Sequence, residues 1–120
     1  MAATDDSNLV ILITREVLGT VAREDVAFGA GMLEKFLHTL EASDRKPKVI
    51  CFYTEGVKNL CTGSALLPGL SLLEGMGVRL MACGTCLEYY GLTDERQLGQ
   101  VVGMNDIVAV MMQADSVITV

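Results

Sequence analysis

The run Val78-Arg79-Leu80-Met81-Ala82-Cys83-Gly84-Thr85-Cys86-Leu87-Glu88-Tyr89-Tyr90-Gly91 joins a short apolar segment to two closely spaced thiols. Val78 to Ala82 has the length and apolar density of a buried strand. Gly84-Thr85 predicts a tight turn, and Leu87 to Tyr90 about one helical turn that Gly91 closes, where helices often end. Cys83 then falls at the carboxyl end of a strand, beneath the amino end of a short helix. Peptide N–H groups and the helix dipole favour negative charge there, so a thiolate is stabilised and its pKa falls below the free value of about 8.5. That is the setting of a reactive cysteine.

Other readings of the same residues compete with this one. A lone buried cysteine is usually an inert small hydrophobe, but two cysteines flanking Gly-Thr are harder to explain as filler. Structural zinc needs four ligands, and the remaining candidates, Cys51, Cys61 and the only histidine, His38, form no second close pair. No metal is therefore expected. The C-x-x-C spacing also fits a thioredoxin-like redox centre. That motif normally follows an early strand and opens a long helix, whereas here it follows the third strand and a segment soon ended by Gly91.

Outward from this run, apolar strand and helix patterns alternate. Leu9 to Thr14 is a continuous β-branched-rich run that reads as a central parallel strand. Residues 15–23 form a loop with neither the G-x-G-x-x-G nor the Walker spacing that cradles phosphates. From Glu24 to Ala42 the positions Val26, Gly29, Met32, Leu33, Phe36, Leu37 and Leu40 recur at three and four, marking an amphipathic helix. Gly29 and Gly31 weaken that helix, which points to close approach to the sheet or to another subunit. His38, near its end, reads as a solvated or dipole-complementing residue. Lys48 to Tyr53 is the second strand and 54–60 the loop that leaves it, with Gly56 for the turn and Lys58 placed to face an anion. Ser64 is positioned to cap a helix through about Met76, made irregular by Pro68 and Gly69.

Beyond Gly91, Thr93 is placed to cap a short helix opening with Asp94-Glu95. Gln100 to Val102 reads as a brief fourth strand, Asn105 as the cap of a helix over Asp106 to Ala114, and Ser116 to Val120 as a strand inserted into the sheet. The expected fold is a three-layer α/β/α, doubly wound, mainly parallel sheet of about five strands, in one domain over 1–120 with 1–8 flexible. In such sheets ligands sit outside the carboxyl ends of the strands, near the point where strand order reverses. That edge should gather Lys58, Cys61 and Cys83.

With 120 residues, the chain is large enough for one core. An apolar fraction of 51% and a mean hydropathy of +0.42 imply a sheet covered on both sides, or an oligomer that hides more apolar surface. No apolar run reaches the roughly 18 residues that span a bilayer. The acidic, polar start has neither the basic nor the apolar stretch of a signal peptide, so a cytoplasmic protein is expected. There, four cysteines are more often reduced and reactive than structural. A net charge of −6 excludes the basic face that nucleic acid or an anionic membrane requires.

Phe52-Tyr53-Thr54-Glu55-Gly56-Val57-Lys58-Asn59, followed by Cys83-Gly84-Thr85-Cys86-Leu87-Glu88-Tyr89-Tyr90-Gly91-Leu92, closely resembles the DsrE-like sulfur-relay family, in particular the carboxyl-terminal domain of YedF-type proteins. The resemblance runs from Leu9 to Val120. It implies a DsrEF-like α/β fold, assembly into homo- or hetero-oligomers, no cofactor, and sulfur carried as a persulfide on Cys83, the position matching that of TusD and DsrE subunits. YedF-type chains also carry a SirA-like (TusA-like) domain with its own cysteine; this sequence holds none, so such a carrier, or a cysteine desulfurase, is the partner implied in trans.

In that mechanism Cys83 attacks the outer sulfur of a donor persulfide, with the Gly84-Thr85 amides and Lys58 stabilising the thiolate. Cys86 is the natural resolving thiol, and Cys61 a weaker candidate for the same task. Cys51 points into the sheet. Tyr89 and Tyr90 lie beside the thiols, where they shape a partner surface or simply cap the core edge. The competing function is a non-catalytic oligomeric binding or regulatory module whose thiols sense redox state.

Overall fold

The computed structural model describes residues 8–120; the expectation of a flexible 1–8 lies almost wholly outside them. Five strands form one sheet: β1 (Leu9–Ile13), β2 (Val49–Phe52), β3 (Arg79–Cys83), β4 (Gln100–Val102) and β5 (Ser116–Thr119). The order is β4-β3-β2-β1-β5, and every pairing is parallel. The helices are α1 (Val26–Ala42), α2 (Leu67–Gly75), α3 (Gly84–Tyr89) and α4 (Met104–Gln113). β1 and β2 are buried along their whole length, which is why their sequences run apolar without alternation. Three successive right-handed steps, β1 to β4, put α1, α2 and α3 on one face of the sheet, and the return to β5 carries α4 across the other. The expected α/β architecture is present.

The core is centred on β1, β2 and β3, with Ile11, Ile50, Phe52, Leu80 and Met81 essentially inaccessible. Leu33 and Leu37 of α1 and Leu70 and Leu73 of α2 close it from one side, and Ile107 of α4 joins it too. Each such side chain contributes about 1.5–3 kcal/mol by leaving water. α1 buries Gly29, Leu33 and Leu37, spaced four apart on one face. Val26, expected on that face, is half exposed because the chain before it is a short 3-10 turn, Arg23–Asp25, that lifts the first helical turn away from the sheet.

Several local expectations are corrected. No turn separates β3 from α3: the helix begins at Gly84 itself, and Cys83 is its N-cap in extended conformation. A Cβ on Gly84 would stand 3.0 Å from Val101 Cγ1, so this glycine serves a close approach to β4. Residues 54–60 form a 3-10 helix, Thr54–Leu60, instead of an open loop. Ser64 does not cap α2; its hydroxyl accepts the N–H of Leu66, and α2 starts at Leu67 with Pro68 in the first turn, where a missing N–H costs nothing.

Thr93 likewise makes no cap hydrogen bond: it opens a 3-10 turn, Thr93–Glu95, behind Leu92. Gly103, not Asn105, is the N-cap of α4, its N–H donated to the Asp106 carboxylate at 3.2 Å. Gly31 meets nothing within 4 Å of an added Cβ, so it marks no close approach within this chain. Gly29 does, since a Cβ there would lie 2.9 Å from Val17 Cβ. β5 joins the sheet as an edge strand beside β1, with all four residues exposed.

Candidate thiol site

β3 ends on Cys83, and the first turn of α3 carries Cys86. Three residues along a helix return a side chain to the same side, which sets the two sulfurs as neighbours beyond the carboxyl edge of the sheet. Their exposure is the reverse of the simplest expectation. Cys83 is only 2% exposed, whereas Cys86 is partly open. A reagent arriving from solvent meets Cys86 first.

The third member of the site is Thr54, at the carboxyl end of the neighbouring strand β2. Its backbone N–H donates to Cys86 Sγ at 3.1 Å. Burial raises the pKa of Cys86, the Cys83 thiol beside it adds to the rise, and the Thr54 amide pulls the other way. At Cys86 burial therefore outweighs the one amide that favours its charged form. Lys58 is not among the influences on it. Its ammonium lies 4.5 Å over the ring of Tyr90, a cation–π contact.

Of the expected gathering of Lys58, Cys61 and Cys83, the first two share a cleft whose lining does not include Cys83. Lys58, Cys61 and Tyr90 line this cleft with Glu16, Thr62 and Leu92, and its volume is about 370 Å³. Cys61 is 4% exposed and donates its thiol to the Val57 carbonyl at 3.3 Å. Burial raises its pKa, Glu95 adding to the effect and Arg96 opposing it. Cys51 is fully buried in β2, and burial pushes its thiol to about 11, against a small opposing pull from Arg79.

Gly84 and Thr85 occupy the first turn of α3. Tyr89 is 83% exposed and meets Tyr90 edge to face at 5.1 Å. His38 lies 3.4 Å from Glu41 and 3.8 Å from Glu34, in a groove lined also by Leu37, Leu66 and Pro68. Among the described residues no group of three or more histidine, cysteine or acidic side chains is placed to hold a metal, and no helix is long and apolar enough to cross a membrane.

The residues that sequence reading missed are Thr54 and Asn59, and Gly56, read there as a turn residue, serves a close approach; all lie within the segment taken as a loop. Thr54 has φ 49°, a left-handed conformation rare for a β-branched side chain. Gly56 sits where an added Cβ would lie 1.9 Å from the Ile13 carbonyl oxygen. Asn59, 4% exposed, donates its amide to the carbonyls of Arg15 at 2.9 Å and Gly56 at 3.1 Å. Together they clamp the 3-10 helix onto the end of β1. A polar Asn between Lys58 and Leu60 was the one visible signal. The strand order reverses between β1 and β5, and β5 lies three strands away from β3 and its thiol.

A parallel α/β sheet carrying a thiol pair where its third strand passes into a helix is the class of protein that these observations define. The profile of the DsrE/DsrF-like family matches residues 35–120, and the chain belongs to that family. Among solved structures, MTH1491 from Methanobacterium thermoautotrophicum, a protein of unknown function, superposes with a TM-score of 0.68 at 25% identity over 96% of this chain and 100% of that one. YchN from E. coli gives 0.64 at 15% identity over 95% and 99%. BT1422 from Bacteroides thetaiotaomicron, also of unknown function, gives 0.63 at 19% over 100% and 98%. No curated protein matches the chain.

Proposed function

We propose that this chain is a cytoplasmic sulfur-relay protein, sulfurtransferase-like, that carries sulfur as a persulfide on the Cys83–Cys86 pair, with Cys83 as the storage position. The observation that carries the reading is the arrangement of that pair: one sulfur partly open, the other 2% exposed directly behind it. The thiolate of Cys86 attacks the outer sulfur of a donor persulfide, the donor's S–S bond breaks, and the donor leaves as a thiolate. Cys83, as thiolate, then takes the outer sulfur from Cys86, whose own thiolate is restored. Each step breaks one S–S bond and forms one, so no oxidant is needed. Proximity of the two sulfurs turns the second exchange into a nearly unimolecular step. Attack by Cys83 on the inner sulfur instead expels hydrosulfide and leaves a Cys83–Cys86 disulfide.

A cysteine desulfurase is the donor and a SirA-like (TusA-like) carrier the exchange partner of this reading; the working form is a homo-oligomer. Incubation with a cysteine desulfurase and cysteine, followed by intact mass, tests it. Wild type and Cys51→Ser should gain one sulfur that maps to Cys83, Cys86→Ser should gain none, and Cys83→Ser should hold sulfur only on Cys86. Sulfur on neither cysteine, or a protein that only loses two hydrogens reversibly, sinks the relay and favours a redox-sensing module.

A further inference from the structure

The 3-10 helix Thr54–Leu60 belongs to no part of the relay chemistry written above, yet its first residue touches the entry thiol. We propose that Thr54 is the positioning residue of that thiol: its hydroxyl tethers the backbone in a left-handed turn so that its N–H points at Cys86 Sγ. The proposal rests on the relay reading for its purpose and on geometry for its substance.

Three observations meet at this residue. Among the described residues it is the only non-glycine with positive φ, at 49°, and a β-branched side chain does not adopt that conformation without something to hold it. Its hydroxyl oxygen lies 2.9 Å from the Thr14 carbonyl oxygen and 2.7 Å from that of Tyr53, so one proton is shared between two acceptors and fastens the turn to the end of β1. The N–H that the turn presents lies 3.1 Å from Cys86 Sγ. A glycine would reach the same φ at no steric cost, so a threonine makes sense here only if its hydroxyl is used.

Chemically, the amide is the one neighbouring group that favours the charged form of Cys86, whose surroundings otherwise favour the protonated thiol. It also fixes the direction of the sulfur. A thiolate that must attack one sulfur of a donor and then yield to Cys83 gains from a held orientation.

The test is the rate of Cys86 alkylation by iodoacetamide as a function of pH, read by peptide mass so that the other thiols do not interfere. Thr54→Val keeps the shape and loses the tether; the profile should move to higher pH by about one unit, about tenfold slower at pH 7. Thr54→Ser keeps the hydroxyl and with it the tether, and should stay within about threefold of wild type. A general loss of structure would slow or speed all thiols together, so the alkylation of Cys61 serves as the internal reference. The assignment falls if Thr54→Val superposes on wild type, or if Thr54→Ser shifts as far as Thr54→Val. Should Thr54→Val not fold, a Thr54→Ser profile shifted by a full unit overturns it equally. Sulfur uptake is scored separately on the same proteins: a wild type that never loads counts against the relay, and the role of Thr54 is still decided by the alkylation profile.

Discussion

Replacing Gly56 with alanine should damage both the fold and the thiol site. The added Cβ would stand 1.9 Å from the Ile13 carbonyl oxygen, 2.7 Å from its carbon and 3.1 Å from Thr14 Cα. The nearest contact is about 1.5 Å short of ordinary van der Waals distance. All three atoms are backbone at the end of β1, so no side chain can rotate aside. Either β1 shifts, at the cost of its pairing with β2, or the 3-10 helix lifts. Overpacking of this kind typically costs about 1–3 kcal/mol, and a backbone-on-backbone clash belongs at the upper end. For a chain of this size about 3 kcal/mol lowers the melting temperature by about 10–15 °C. Lifting the helix also draws the Thr54 amide off Cys86, so alkylation of Cys86 should change relative to Cys61. Urea unfolding followed by circular dichroism, with alkylation measured below the transition, reads both effects. A Gly56→Ala protein with an unchanged urea midpoint would show that the close approach does not exist, and with it the clamp that holds the site.

Gly31 supplies the contrasting case: it lies within α1 and an added Cβ meets nothing within 4 Å, so Gly31→Ala should stabilise by about 0.5–1 kcal/mol, and a destabilised variant would mean that the outer face of α1 is covered. Asn59→Leu removes both amide hydrogen bonds and strands the Arg15 and Gly56 carbonyls in a buried setting; a loss of about 2 kcal/mol in urea unfolding is expected, and no loss would make the clamp decorative. Cys51, held protonated to about 11 by burial, ties stability to alkaline pH. The unfolded thiol ionises from about pH 8.5 while the folded one does not, so stability is fully present below about 8.5 and is lost as pH rises towards 11. The difference in urea midpoint between wild type and Cys51→Ala should therefore shift against wild type between pH 8 and pH 10.5; a constant difference would refute the shift.

The sheet was legible in the sequence because burial on both faces writes itself as uninterrupted apolar runs. Leu9 to Ile13, Val49 to Phe52 and Arg79 to Cys83 were found almost to the residue, and Cys83 was placed correctly at the junction of strand and helix. The boundaries that failed, at Ser64, Thr93 and Asn105, depended on which of several polar side chains reaches a free N–H. Capping propensity ranks such residues but does not choose among neighbours, and at α4 it was Gly103 that took the position with the Asp106 carboxylate as its partner.

By itself the sequence determined the class of fold and the position of the two thiols along the chain, which follow from local periodicity and spacing, and the family through the resemblance of the Phe52–Asn59 and Cys83–Leu92 runs. Only the tertiary structure decided which thiol faces solvent, that Lys58 stacks on Tyr90, and that Thr54 reaches across from the next strand to Cys86. Those facts depend on how β2 and β3 lie side by side and how tightly Gly56 lets the 3-10 helix press on β1. Distances between residues more than thirty apart are set by packing, and no pattern along one segment encodes them.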